Sequence, residues 1–189
     1  GLKIVLDRQT LAAGRIAEIR DQAAAGNFSA GNGRITQESI VPAYLARVRH
    51  DIAIATPLKI VIDASNGTTS EIAPQLFQEL GCDVVPLNCK VDGRFPGHPP
   101  DTSNEENLAM LVQEVVDVEA DFGVAFDGDG DRLAVVTPSG KIIRSDVLLM
   151  LYAQDFLSRN PGADVVFDVK CSRQLSTLIA DLGGRPVVW

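Results

Sequence analysis

Short apolar runs alternate along the chain with longer stretches of helical periodicity. Residues 1–6 read as a strand. An alanine-rich helix is predicted over 11–25, stopped by Gly26-Asn27, and residues 29–33 have the composition of a linker. A second helix is predicted over 39–56, with Ile40, Tyr44, Leu45 and Val48 on one face and Pro57 ending it. Residues 58–63 read as a buried strand rich in β-branched side chains, 65–67 as its turn, 68–80 as a helix closed by Gly81, and 83–87 as the next strand. Two glycines and three prolines make residues 92–104 a loop. Helix resumes near Asn104, where Thr102 with Glu105, or Ser103 with Glu106, fits a capping box. Apolar strands over 122–126 and 133–137 flank an acidic loop at 127–131, and after the turn at 138–140 residues 141–143 extend the sheet. A helix over 146–158, a break at 160–162, a strand over 165–168, a helix over 172–182 and a strand over 186–188 complete the pattern.

Strands alternating with helices of this length indicate α/β architecture. There is also an internal echo. Ile60 to Asp63, a turn, a helix ending Leu80-Gly81 and then Asp83-Val84-Val85 resemble Val165 to Asp168, a turn, a helix ending Leu182-Gly183 and then Pro186-Val187-Val188. The two units start about a hundred residues apart, roughly a small domain's length. That spacing points to two related α/β domains with the second truncated, although any two βαβ units share this outline. The chain opens at Gly1 straight into an apolar stretch and stops at Trp189 directly after a strand, so it reads as a piece of a longer protein.

Composition narrows the function. Of 189 residues, 46% are hydrophobic and 22% charged, which suits a globular protein with its own core. Seventeen basic against 25 acidic side chains give a net charge of −8. Nucleic-acid binding is therefore not expected, because phosphate backbones call for a basic face. A small anion held by local cations or a metal is still compatible. The three cysteines, Cys82, Cys89 and Cys171, include no CxxC pair, so a reducing cytoplasm is the expected location. With only His50 and His98 beside them, a zinc site is not expected. The apolar run at 147–153 is too short to cross a bilayer, and no signal-peptide pattern is present.

The acidic loop, Phe126-Asp127-Gly128-Asp129-Gly130-Asp131-Arg132, is the most informative stretch. Two charges about 5 Å apart repel by roughly 0.8 kcal/mol in water and about 3 kcal/mol at an effective dielectric of 20. Three carboxylates between two buried strands call for a cation among them. Glycines let the backbone turn tightly enough for alternate side chains to meet at one point. All-oxygen ligands favour magnesium, manganese or calcium over zinc or copper. Arg132 follows at once, and guanidinium is a natural phosphate clamp. A hard metal beside an arginine is equipment for phosphoryl transfer. The plain alternative is a solvated acidic hairpin turn. An EF-hand fits poorly: counted from Asp127, its glycine and glutamate positions hold Arg132 and Pro138, and the flanks are strands. A haloacid-dehalogenase-type phosphatase also places aspartates two apart, but continues with threonine or valine.

The loop is similar to the metal loop of the α-D-phosphohexomutases, and more of the chain resembles their bacterial phosphomannomutase/phosphoglucomutase branch. Ile62-Asp63-Ala64-Ser65-Asn66-Gly67, Phe95-Pro96-Gly97-His98, Glu106-Asn107-Leu108, Asn160-Pro161-Gly162-Ala163-Asp164 and Phe167-Asp168-Val169-Lys170-Cys171-Ser172 all fit it. The resemblance runs essentially end to end. It implies mixed-sheet α/β domains from a four-domain protein: residues 1–38 as the tail of domain 1, 39–141 as domain 2 and 142–189 as the truncated start of domain 3.

The resemblance also implies a reaction, the movement of a phosphoryl group between C1 and C6 of mannose or glucose through a phosphoserine and a bisphosphorylated intermediate. It assigns Asp127, Asp129 and Asp131 to Mg2+, with hexose 1,6-bisphosphate as activator. It makes Arg132 a catalytic and phosphate-binding residue, Lys3 a general base and Lys170 a substrate contact. On the residues alone, Lys3 is an ordinary strand-edge lysine, and Lys170 is equally a solvated turn lysine or a ligand-binding residue at a strand's carboxyl end. His98 is expected to bond its own loop's backbone and stays outside the catalytic set. The nucleophilic serine of this family precedes His-Asn-Pro, and no serine here is followed by histidine. The chain alone is therefore expected to bind magnesium weakly and not to catalyse. Its expected partners are a phosphosugar and the absent parts of domains 1, 3 and 4, with no membrane. The alternatives are a phosphoglucosamine mutase, a haloacid-dehalogenase-like phosphatase and a non-catalytic calcium-binding module.

Overall fold

The computed structural model describes residues 4–189, which fall into two compact units divided between residues 39 and 40. In the first unit, β1 (Val5–Leu6) pairs antiparallel with β2 (Gln9–Thr10) across a turn in which Asp7 and Arg8 take φ of 50° and 64°. Such a turn normally advertises itself by Asn-Gly or Asp-Gly, so this hairpin leaves no clear trace in the sequence. The helix α1 (Ala13–Ala24) follows and buries no residue.

The second unit opens with α2 (Val41–Asp51). It stops well before Pro57, against expectation. Ile52 is extended, and from there the chain runs on so that Ile54 and Leu58 pack against the core. Next come β3 (Lys59–Asp63), α3 (Ile72–Glu79), β4 (Asp83–Leu87), α4 (Ala109–Asp117), β5 (Phe122–Phe126), β6 (Leu133–Val136) and β7 (Ile142–Ile143). The strands form one mixed sheet in the order β4-β3-β5-β6-β7. β3 is parallel to both β4 and β5, while β6 and β7 return antiparallel. The short strand after the turn at 138–140 thus extends the sheet, as expected.

Side-chain alternation along β3 sorts the core into two layers. Val61 faces Leu111 and Val115 of α4, together with Ala125 and Val136 of the neighbouring strands. Ile60 and Ile62 face the other way, against Ala73 and Phe77 of α3. All three β3 side chains are fully buried, which accounts for the unbroken apolar run.

Two helix starts differ from expectation. α3 begins at Ile72, not Thr68. A start at Thr68 would put Pro74 inside the helix, where its ring meets the carbonyl of Ser70. A start at Ile72 puts Pro74 in the first turn, where its missing N–H costs nothing. Near Asn104 a short 3-10 turn (Glu105–Leu108) precedes α4, and its cap is Asn104, whose side chain accepts from Glu106 N. The Ser103 box does not form, because the Ser103 hydroxyl donates to Asp101 instead.

The chain continues through α5 (Ser145–Arg159), β8 (Asp164–Phe167), α6 (Arg173–Asp181) and β9 (Arg185–Val188). β8 and β9 pair in parallel, and α5 and α6 close a separate core of Ala153, Leu157, Phe167, Leu175 and Ile179. Both stretches of the internal echo are thus parallel βαβ units. Among the described residues no helix is long and apolar enough to cross a membrane.

Candidate functional site

The carboxyl ends of the three parallel strands lie side by side, at the edge where open α/β sheets bind ligands. β3 ends on Asp63, β4 leads to Asn88, and β5 leads into the acidic loop. That loop is the turn of the β5–β6 hairpin: Phe126 pairs with Leu133, and Asp127 N donates to Arg132 O at 3.2 Å. Gly130 supplies the reversal at φ 74°, a conformation that glycine adopts without a side-chain clash.

The three carboxylates converge. Asp127, Asp129 and Asp131 each offer an oxygen within 4.8 Å of the other two. Asp127 is 2% exposed, while Asp129 and Asp131 face solvent. A hard all-oxygen set with one buried and two exposed members fits a divalent cation that keeps further positions for water or phosphoryl oxygen. The residues present therefore fit magnesium.

Arg132 sits against this set. Its backbone N–H donates to Asp127 Oδ1 at 3.1 Å, and its Nε donates to Asp127 Oδ2 at 2.9 Å. Nη1 donates to Asp101 Oδ1 at 3.0 Å. Asp101 and then Asp127 hold the guanidinium above its ordinary pKa. The Ser103 hydroxyl and amide, followed by Arg132, hold the Asp101 carboxyl below the usual carboxylate range.

The loop after β3 cradles the acidic loop. Ser65 Oγ donates to Phe126 O at 2.6 Å, and Thr68 N donates to Gly128 O at 3.1 Å. A Cβ on Gly67 would lie 2.6 Å from Gly128 O, so only glycine permits this approach. Ser65 and Asn66 carry φ of 49° and 54°, a conformation that costs a non-glycine residue about 1–3 kcal/mol. Buried hydrogen bonds hold them there. Asp63 Oδ1 accepts from Ser65 N at 2.9 Å and from Asn88 Nδ2 at 3.1 Å. Asn66 Nδ2 donates to Lys90 O at 2.9 Å.

His98 joins the same network. Its Nδ1 lies 2.9 Å from Pro99 O, the expected bond to its own loop. Its Nε2 also lies 2.9 Å from Asp63 Oδ2, and the two side chains are 9% and 0% exposed. The imidazole thus bridges its own loop and the carboxyl end of β3.

Lys170 does not join the acidic cluster. Its ammonium lies 3.5 Å from Asp168 Oδ2. It lines a hollow of about 430 Å3 with Arg144 and Asp146. A neighbouring hollow reaches Arg132, and the two share Thr102, Ser103 and Ser145. Lys3 lies outside the described residues. Sequence reasoning assigns no role to Asp63 or Asp101. An acid closing an apolar strand is a signal for Asp63. Asp101 carries none, since it lies in a proline-rich loop 31 positions from Arg132.

Comparison with known proteins extends these observations. Residues 42–140 match domain II, an alpha/beta/alpha domain, of phosphoglucomutase/phosphomannomutase. A phosphomannomutase/phosphoglucomutase of Pseudomonas aeruginosa is 51% identical over 189 residues, covering 100% of this chain and 41% of the relative. A phosphoglucomutase of Neisseria meningitidis is 43% identical, again over 100% of this chain and 41% of its own length. The crystal structure of a phosphoglucomutase/phosphomannomutase family protein from Burkholderia thailandensis superposes with a TM-score of 0.92 at 41% identity, covering 99% of this chain and 41% of that one. The chain thus spans about two fifths of the length of these relatives.

Proposed function

The chain belongs to the phosphoglucomutase/phosphomannomutase family, and from that membership we propose that it is the metal-bearing part of an enzyme that interconverts hexose 1-phosphate and hexose 6-phosphate. The observation that carries this reading is the convergence of Asp127, Asp129 and Asp131 beside Arg132 on one hairpin turn. In this proposal residues 1–38 end domain 1, 39–141 form domain 2 and 142–189 begin domain 3. Mannose and glucose are the sugars, hexose 1,6-bisphosphate is the activator, and the cytoplasm is the location.

Asp127, Asp129 and Asp131 would hold Mg2+, which when bound offsets the negative charge on a transferring phosphoryl group. Asp127 is fixed first, because the Arg132 amide and guanidinium each bind one of its oxygens. Arg132 then presents its remaining guanidinium hydrogens to a phosphoryl oxygen, a geometry that favours planar, charge-assisted bonding. Lys3 would take the proton from the attacking sugar hydroxyl, and Lys170 would bind the sugar phosphate from the adjoining hollow. The phosphoserine that gives and regains the phosphoryl group is proposed to lie in the part of domain 1 that this chain does not contain.

The test is phosphorus NMR on the full-length protein with magnesium, mannose 1-phosphate and a trace of hexose 1,6-bisphosphate. Conversion to mannose 6-phosphate without free phosphate is expected. Release of free phosphate would indicate a phosphatase instead. The 189-residue chain alone is expected to give no conversion.

A further inference from the structure

Arg132 does not stand alone beside the acidic loop. Its guanidinium is pinned on two edges, by Asp127 at Nε and by Asp101 at Nη1. Asp131 Oδ1 also lies 3.8 Å from Nε. Two carboxylates on different edges fix both the position and the plane of the group.

Asp101 is itself held from four sides. Its Oδ1 accepts from Ser103 N at 3.1 Å and from Ser103 Oγ at 2.8 Å. Its carbonyl accepts from the buried Asn107 side chain at 2.9 Å, and its N–H donates to Pro99 O at 2.8 Å. The preceding residue, Pro100, packs towards the acidic loop, since a Cβ on Gly128 would lie 3.3 Å from it. The proline-rich loop therefore delivers one carboxylate to one place.

An ion pair between half-exposed groups adds little to stability. Arg132 and Asp101 are 53% and 48% exposed. The arrangement is thus poor as a staple and well suited to aiming a side chain. Resting on the phosphoryl-transfer reading above, we infer that Asp101 is a positioning residue that orients the Arg132 guanidinium over the acidic loop.

The test reads the guanidinium directly, in the 15N-labelled 189-residue chain. Pinned on two edges, Arg132 is expected to show separate Nη signals at low temperature. Asp101→Ala is expected to merge them, and Asp101→Glu to restore them. Asp101→Asn keeps an acceptor for Ser103 while removing the charge, and is read instead if the alanine variant disturbs the fold. The affinity for Mn2+, titrated in parallel, is expected to stay within about twofold, because Asp101 is not among the converging carboxylates. In the full-length protein kcat/KM is expected to fall about tenfold, the order expected from a loosened contact group.

Separate Nη signals that persist in every variant overturn the inference. So does a loss of Mn2+ affinity together with shifted amides throughout residues 92–104, which would mark Asp101 as a structural support of its loop. If the unaltered full-length protein converts no hexose phosphate, the mutase reading falls, while the NMR and Mn2+ readouts still decide the role of Asp101.

Discussion

Asp63 has no exposure at all, yet its carboxylate is fully engaged by Ser65, Asn88 and His98. Removing His98 leaves Asp63 Oδ2 buried without that partner, at a cost of about 1–3 kcal/mol. His98→Ala is therefore expected to lower stability in urea by about that much. The double variant with Asp63→Asn should lose less than the sum of the two single variants. A loss below about 1 kcal/mol for His98→Ala would show that the pair is not a support. The loop-backbone bond of His98 is legible because Pro99 is its neighbour. The Asp63 bond is not, because the partners are 35 positions apart and meet only once β3 and the proline-rich loop are both in place. The converging aspartates were legible for the opposite reason, since all three fit within one turn.

At the scale of elements, local pattern predicts most strands and helices but places several ends wrongly. Pro74 is visible in the sequence. That it delays α3 is evident only once Thr68, ahead of the helix, is seen bonding the acidic loop. The end of α2 is set by Ile54, which reaches the core only from an extended segment. Asp146, in the first turn of α5, shows how one acid can join two helices. Its Oδ2 accepts from Ser172 N, at the cap of α6, at 3.0 Å, and its Oδ1 accepts from Val147 N at 3.0 Å. Burial pushes this carboxyl up, but the Ser172 amide, Arg144 and the Val147 amide outweigh it, leaving it below the usual range. A carboxyl depressed on folding contributes stability that is complete above its unfolded value of about 3.9 and is lost as pH falls through the lower folded value. Asp146→Asn should thus be about 1–2 kcal/mol less stable than the parent at pH 7. The gap should close as pH drops below about 4. Urea melts at pH 7 and pH 3 would show it, and an equal gap at both would rule out this role.

For the molecule as a whole, the mixed α/β class and the family are legible in the sequence, because the acidic loop and the motifs around it lie along most of the chain. The β1–β2 hairpin was not, for want of a glycine at its turn. The spatial neighbours of the acidic loop were hidden as well, because they come from distant stretches of chain. The contact from Ser65 to Phe126 spans 61 positions, while the hairpin that carries the aspartates closes on itself. These two facts set an order in time. A hairpin closes in about 1–10 μs, whereas pairing parallel strands through intervening helices must first overcome a long loop closure and is far slower. A refolding chain would then hold its aspartates in one turn long before Ser65 and Thr68 arrive to steady it. Stopped-flow refolding with Mn2+ should show the ion taken up in the slow phase, and uptake within the dead time would show that the hairpin alone suffices to bind it. Competence to bind a cation would then mark the completion of the β3–β5 pairing rather than the birth of the loop, making metal uptake a clock for the last long-range step of folding.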